Sequence, residues 1–224
     1  MLLKQRAGRT LVGGIIAAFD LAQSEIGAFM LADDHDRARR VIGHNRLPTF
    51  DPVEARRATA IGWHRSFCIE LTNWRGTPEQ PGLMMALDRG GRCSGMAFRL
   101  LDDNRLAELK RMVRREILAR EDVGMVRWIK LQTEAGRLRA LVFWAGPKGD
   151  GISLKLPLDK VAFVLARACG HGGSCAEYLY NTVSHLEALG IRDPNLWRLQ
   201  QLVAEEIARI YKIPTPIVSR GISA

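Results

Sequence analysis

One carboxylate in this chain stands where helical spacing asks for a hydrophobe. Leu106, Leu109, Met112, Val113 and Ile117 recur at i, i+3, i+4 and i+7, making one apolar stripe, and Glu116 joins it three residues after Val113, four after Met112 and seven after Leu109. A carboxyl held against apolar surface has its pKa pushed up towards the range useful for moving protons. A plainer alternative is an ion pair with Arg115 or Arg120, or a place in water at the edge of the stripe. Arg75 is the second residue that suggests chemistry. It lies in Trp-Arg-Gly-Thr-Pro-Glu-Gln-Pro-Gly, residues 74–82, whose two prolines and two glycines exclude regular structure while fixing a defined path. An arginine there either meets a substrate carboxylate or anchors its own loop.

Other groupings carry less. Cys169, His171 and Cys175 are zinc-type donors, but a fourth at a sensible spacing is missing and Gly170, Gly172 and Gly173 read as a helix break, so no metal or other cofactor is expected. The four cysteines, Cys68, Cys93, Cys169 and Cys175, show no close pairing pattern, and free thiols are expected. His64, His171 and His185 have no carboxylate partner at a telling spacing and receive no role.

The elements that must position these residues follow from pattern. Residues 59–72 alternate through Ile61, Trp63, Phe67, Ile69 and Leu71 as a half-buried strand ahead of the proline loop. Residues 82–87 and 93–101 read as two strands joined by the turn residues Asp88, Arg89, Gly90 and Gly91. The Glu116 helix spans 106–120. Residues 126–133 and 137–145 then form the clearest hairpin, separated by Glu134, Ala135 and Gly136, with Trp128 and Trp144 serving its faces or the core. A glycine-containing loop over 147–157 precedes three helices, 158–169, 174–189 and 194–211. Gly190 suits a helix C′ position and Pro194 a first turn, while Trp197, like Trp128 and Trp144, is assigned to the core or a hairpin face. Strands, one inserted helix, more strands and then helices give an α+β domain with a mixed or antiparallel sheet, either open or closed as a barrel. Residues 1–48 are least informative: 10–21 fit a strand or short helix, and 33–40 are charged.

The chain has 224 residues, 47% hydrophobic and 25% charged, with a net charge of +9. That is an ordinary folded domain, and no apolar run approaches the ~20 residues needed to span a bilayer. The eight residues 11–18 are too short for a span and lack the flanks of a secretory signal, so a cytoplasmic location is expected. Residues 105–120 hold six Lys or Arg against two Glu. No aromatic residue interleaves with them, which argues against a nucleic-acid surface and for a solvated flank, or for a basic surface that steers an anionic small molecule. Neither nucleic acid nor membrane is expected as a partner, and the oligomeric state is open.

Five motifs occur in order: Gly62-Trp-His-Arg-Ser-Phe-Cys68, Arg75-Gly-Thr-Pro-Glu-Gln-Pro-Gly82, Leu87-Asp-Arg-Gly-Gly91, Arg114-Arg-Glu116 and Gly173-Ser-Cys-Ala-Glu-Tyr-Leu179. Together they resemble the ChaC-type gamma-glutamylcyclotransferases of bacteria, over about residues 50–206. The resemblance implies a small barrel flanked by helices over 49–212, with 1–48 a separate segment and 213–224 a tail. It implies cleavage of glutathione to 5-oxoproline and cysteinylglycine, with Glu116 the catalytic carboxylate and Tyr178 close to the substrate pocket. A buried helix tyrosine with a satisfied hydroxyl is the other reading of Tyr178.

The substrate's own α-amino group would attack its γ-carbonyl, so such a reaction needs a proton carrier rather than a nucleophilic Ser or Cys, or a metal. The family's Tyr-Gly-Ser-Leu loop, whose backbone cradles the γ-glutamyl group, has no counterpart here. Counting back from Pro48-Thr49-Phe50 it would fall on 41–46, which match at no informative position, so no binding role is transferred there. A shifted reading frame upstream of Pro48 and genuine divergence with loss or change of activity are the two explanations, and translation of the coding DNA in three frames separates them. An impaired member that binds a γ-glutamyl ligand or a protein partner without turnover is the alternative function.

Overall fold

The computed structural model describes residues 19–20, 27–30, 54–72, 74–99, 124–146 and 155–212. Its frame is a pair of long antiparallel strands, β3 (Glu54–Leu71) and β4 (Gly82–Arg99), each of 18 residues. Two short strands precede them, β1 (Phe19–Asp20) and β2 (Gly27–Met30), and the hairpin β5 (Val126–Thr133) and β6 (Gly136–Phe143) follows. Strand β2 pairs antiparallel with β4 and parallel with β6, β6 pairs with β5, and β5 pairs with β3. The pairings therefore run round a ring, β4-β3-β5-β6-β2 and back to β4, with β1 added on β6. The α+β barrel expected from the order of elements is present, and the parallel β2–β6 pairing makes it mixed.

The hairpin expected over 82–101 is not present. Residues 88–91 do not turn the chain; they continue β4 along β3, with Ile61 opposite Arg92 and Trp63 opposite Arg89. Gly90 and Gly91 on β4 and Gly62 on β3 are the surplus residues between those pairs, and all three have positive φ, at 110°, 67° and 83°. Glycine supplies that left-handed backbone at a bulge as readily as at a turn, and the long partner strand decides between them. The 126–145 hairpin is as expected, with a two-residue turn at Glu134 and Ala135 and Gly136 at φ 121°.

Three helices cover the sheet: α1 (Leu158–Leu165), α2 (Cys175–Ala188) and α3 (Pro194–Tyr211). Helix α1 stops four residues short of the expected end because the chain drops into a small hairpin, β7 (Cys169–Gly170) and β8 (Gly173–Ser174). Gly190, at φ 64°, closes α2, its N–H reaching Glu187 O at 2.8 Å and that of Ile191 reaching Leu186 O at 2.8 Å. Arg57 of β3 donates to the Leu189 carbonyl at the same helix end, which fixes α2 on the sheet. Pro194 occupies the first turn of α3 behind the N-cap Asp193, as its type suggests. Leu87, Leu131, Leu165, Leu179, Leu186 and Leu199 make the core continuous from barrel to helices. Trp144 lies in it, but Trp128 and Trp197 do not: both are more than a third exposed, each beneath an arginine, Arg139 and Arg192 respectively. Among the described residues no helix is long and apolar enough to cross a membrane.

Candidate active site

The proline loop and the start of α2 meet around Arg75. Gly172 lies against the Trp74 indole, where a Cβ would clash, and its N–H donates to Trp74 O at 2.7 Å. Gly82 is pressed between the Arg75 carbonyl and the Cys175 thiol in the same way. These close approaches draw the Arg75 side chain into the molecule, where it is 2% exposed. Its Nη1 donates to Ser174 O at 2.7 Å and to Glu177 Oε2 at 3.3 Å. Ser174 is the N-cap of α2, accepting from Glu177 N at 3.1 Å, so the arginine closes a cap already made by its neighbours.

Tyr178 is brought to the same place. The guanidinium carbon of Arg75 lies 5.1 Å from its ring centroid, and Phe67 of β3 packs edge-on at 5.4 Å from the other direction. Tyr178 is 3% exposed, so the two residues singled out for binding, 103 positions apart, share one buried contact. Arg75 thus anchors the loop and the helix, and it keeps something in reserve: its Nη2 is buried and has no hydrogen-bond partner among the described residues. A guanidinium N–H left this way costs about 1–3 kcal/mol unless an oxygen from a ligand or water meets it. Glu116 lies outside the described residues, as do all of residues 106–120, over which a helix is expected.

Sequence reasoning missed Glu177 as the partner of Arg75, although the Ser-x-x-Glu spacing of a capping box was there to read. It also missed Arg65, which is buried at 4% and bonds Asp193 Oδ2 at 3.1 Å and Ser94 O at 2.6 Å. The cysteines are free thiols, three of them buried. Burial pushes the thiol of Cys175 up to about 11, and its Sγ donates to Arg75 O at 3.1 Å. That thiol is protonated at neutral pH and is not a nucleophile. Among the described residues no group of His, Cys, Asp and Glu is arranged to hold a metal ion. The described part of the site can therefore hold an anion on a buried arginine.

Residues 46–206 match the family model described as ChaC-like protein. The glutathione-specific gamma-glutamylcyclotransferase of Escherichia coli (strain K12) is 35% identical over 160 residues, covering 70% of this chain and 68% of that protein. Gamma-glutamylcyclotransferase 2-3 of Arabidopsis thaliana is 27% identical over 149 residues, covering 63% of this chain and 75% of that protein. A crystal structure of the yeast gamma-glutamylcyclotransferase specific to glutathione superposes with a TM-score of 0.57 at 18% identity, over 71% of this chain and 93% of that one, which shows the fold.

Proposed function

The chain belongs to the ChaC-like protein family, and on that premise we propose that it is a gamma-glutamylcyclotransferase acting on glutathione and releasing 5-oxoproline and cysteinylglycine. The observation that carries the proposal is the match over residues 46–206, which takes in Arg75, Glu116 and Tyr178 together with the fold. In the reaction the substrate's α-amino nitrogen bonds to the γ-carbonyl carbon, the γ-amide C–N bond breaks, and a five-membered lactam leaves with the cysteinyl amine as the other product. Glu116 takes the proton shed by the attacking ammonium and returns it to the departing amine. Folding the substrate into the cyclising shape supplies the entropic part of the acceleration. Arg75, with its spare Nη2, takes the α-carboxylate of the γ-glutamyl group, and the Tyr178 ring holds the guanidinium plane. Residues 49–212 form the unit that carries this activity. The free thiols suit a reducing cytoplasm.

A second reading, a member that binds a γ-glutamyl ligand or a protein partner without turning it over, is favoured by one observation: the Tyr-Gly-Ser-Leu motif is missing from the sequence before Pro48. One assay separates the two. The purified chain should release cysteinylglycine from glutathione, and Glu116→Gln should slow that release by at least ~100-fold while the protein still binds glutathione, the range set by general acid–base groups. Calorimetric binding without release by the wild type would establish the second reading. Comparable turnover by wild type and Glu116→Gln would remove Glu116 from the mechanism.

A further inference from the structure

Two arginines outside the Arg75 site converge on one pair of indoles. Trp63 and Trp144 are 7% and 6% exposed and meet edge to face, with centroids 5.6 Å apart. Strand register puts Arg89 directly opposite Trp63, and its guanidinium carbon lies 5.2 Å from the Trp63 ring and 5.3 Å from that of Trp144. Arg127, on β5, lies 5.5 Å from Trp144. It shares the inward face of β5 with Ile129 and Leu131, which are buried, because side chains alternate along a strand. Both arginines are nonetheless exposed, so two inward positions carry charges that stand open to solvent on a buried aromatic floor.

Neither guanidinium makes an ion pair or a hydrogen bond among the described residues. Asp88, next to Arg89 in the chain, is already committed: its Oδ1 accepts from the Arg89 backbone N–H at 2.7 Å, and its Oδ2 lies 3.5 Å from Lys155 Nζ. Asp88 is therefore taken up by a backbone N–H and a lysine, and neither guanidinium is neutralised by it. Like charges on a shared ring repel, and stacking on indole fixes each guanidinium plane while leaving its N–H edge free, the geometry that a planar carboxylate takes in bidentate fashion.

Granted the cyclotransferase reading, on which this rests, we propose that Arg89 and Arg127 form the subsite for the glycine carboxylate at the leaving end of glutathione, and so set the preference for a tripeptide. Glutathione carries one carboxylate at each end. Phe67, which packs on the tyrosine beside Arg75, lies four residues from Trp63 on the same face of β3, about 13 Å away at ~3.3 Å per residue. Three residues of extended chain reach about 10–11 Å, and the arginine side chains close the difference.

The test compares glutathione with its glycine monoethyl ester. Arg89→Gln and Arg127→Gln should each raise KM for glutathione roughly tenfold or more, the loss expected when a charge-assisted bond to the ligand is removed. The change in kcat should stay within a factor of about two, since the reacting atoms are remote. The ester should already be a poor substrate of the wild type and should lose nothing further. Arg137→Gln, on the outer face of the same hairpin, controls for the loss of one positive charge. Equal losses on glutathione and ester, or no loss on glutathione, would overturn the proposal. If the wild type cleaves neither compound, the cyclotransferase reading fails separately, and titrating both into the wild type decides the subsite. Tighter binding of glutathione than of the ester, abolished by the two substitutions, upholds it, whereas equal binding or none ends it.

Discussion

Arg65 and Arg75 are two buried arginines that do nearly the same work in different surroundings. Each comes from the β3–β4 region, reaches a carboxylate at the N-terminus of a helix and a backbone carbonyl besides, and has a buried cysteine beside it. Arg65 bonds Asp193, the N-cap of α3, whose side chain is only 14% exposed, and the thiol nearby is Cys93. Arg75 bonds Glu177 in the first turn of α2, whose side chain is 55% exposed, and the thiol nearby is Cys175. The orphan atoms differ as well: in Arg65 it is Nε, inside the side chain, and in Arg75 it is the terminal Nη2. One arginine is used up by the fold, and the other keeps a spare terminal N–H, buried at the tip of the side chain, and a partner that water can reach. Burial alone therefore does not separate a structural cation from a binding one; the exposure of the partner and the position of the spare donor do.

Substitution breaks the symmetry in a measurable way. The largest effect belongs to Arg65→Met, which leaves the Asp193 carboxylate without its cation; the loss should be about 3–5 kcal/mol, the cost of removing one partner of a buried pair. In a chain of this length that is a fall in Tm on the order of 10 °C. A fall of only a degree or two would mean that Asp193 is satisfied as a helix cap alone.

Alkaline pH acts on both regions and comes next. Burial raises the thiols of Cys93 and Cys175 from an ordinary 9 to about 11. The folded state then holds protons that the unfolded state gives up, so their contribution is fully present below pH 9 and is lost between about pH 9 and 11. By linkage each thiol accounts for roughly 2–3 kcal/mol at most. Tm measured across that window should fall, and Cys175→Ala or Cys93→Ala should flatten the fall. A flat profile in the wild type would show that the thiols are not shielded from water. The mildest change in stability should come from Arg75→Met: Glu177 is hydrated, so about 1–2 kcal/mol is expected, from the lost bond to Ser174 O and the lost packing on Tyr178. Its effect on glutathione should be large by contrast, with kcat/KM down by roughly tenfold or more. Full activity in Arg75→Met would make the two arginines alike after all.

Much of this frame was legible in the sequence. Alternation marked β3 and the β5–β6 hairpin, and Gly190 and Pro194 marked the break between α2 and α3, because each depends on neighbours a few residues away. What failed was non-local. Gly90 and Gly91 carry the same signal whether they turn a chain or bulge it, and only the facing strand, with Gly62 in register, distinguishes the two. The meeting of Arg75 with Glu177 and Tyr178 is set by close backbone packing at Gly82 and Gly172, to which no periodicity points. Strands of two and four residues at 19–20 and 27–30 are too short to show an alternation at all.

The ring of strands also has an order of assembly written into its separations. The β3–β4 pair is joined by the ten residues between Leu71 and Gly82, so it can zip up as soon as both strands have left the ribosome. Closing the ring is a different matter, since Ala28 must find Leu141 across more than a hundred residues of chain. Loop closure grows only slowly with length, but it has to be met before the contact returns anything, and the long hairpin waits with bare edges in the meantime. Vectorial synthesis therefore exposes this protein to misassembly in the interval between residues 99 and 143, when the frame exists and its lid of strands does not.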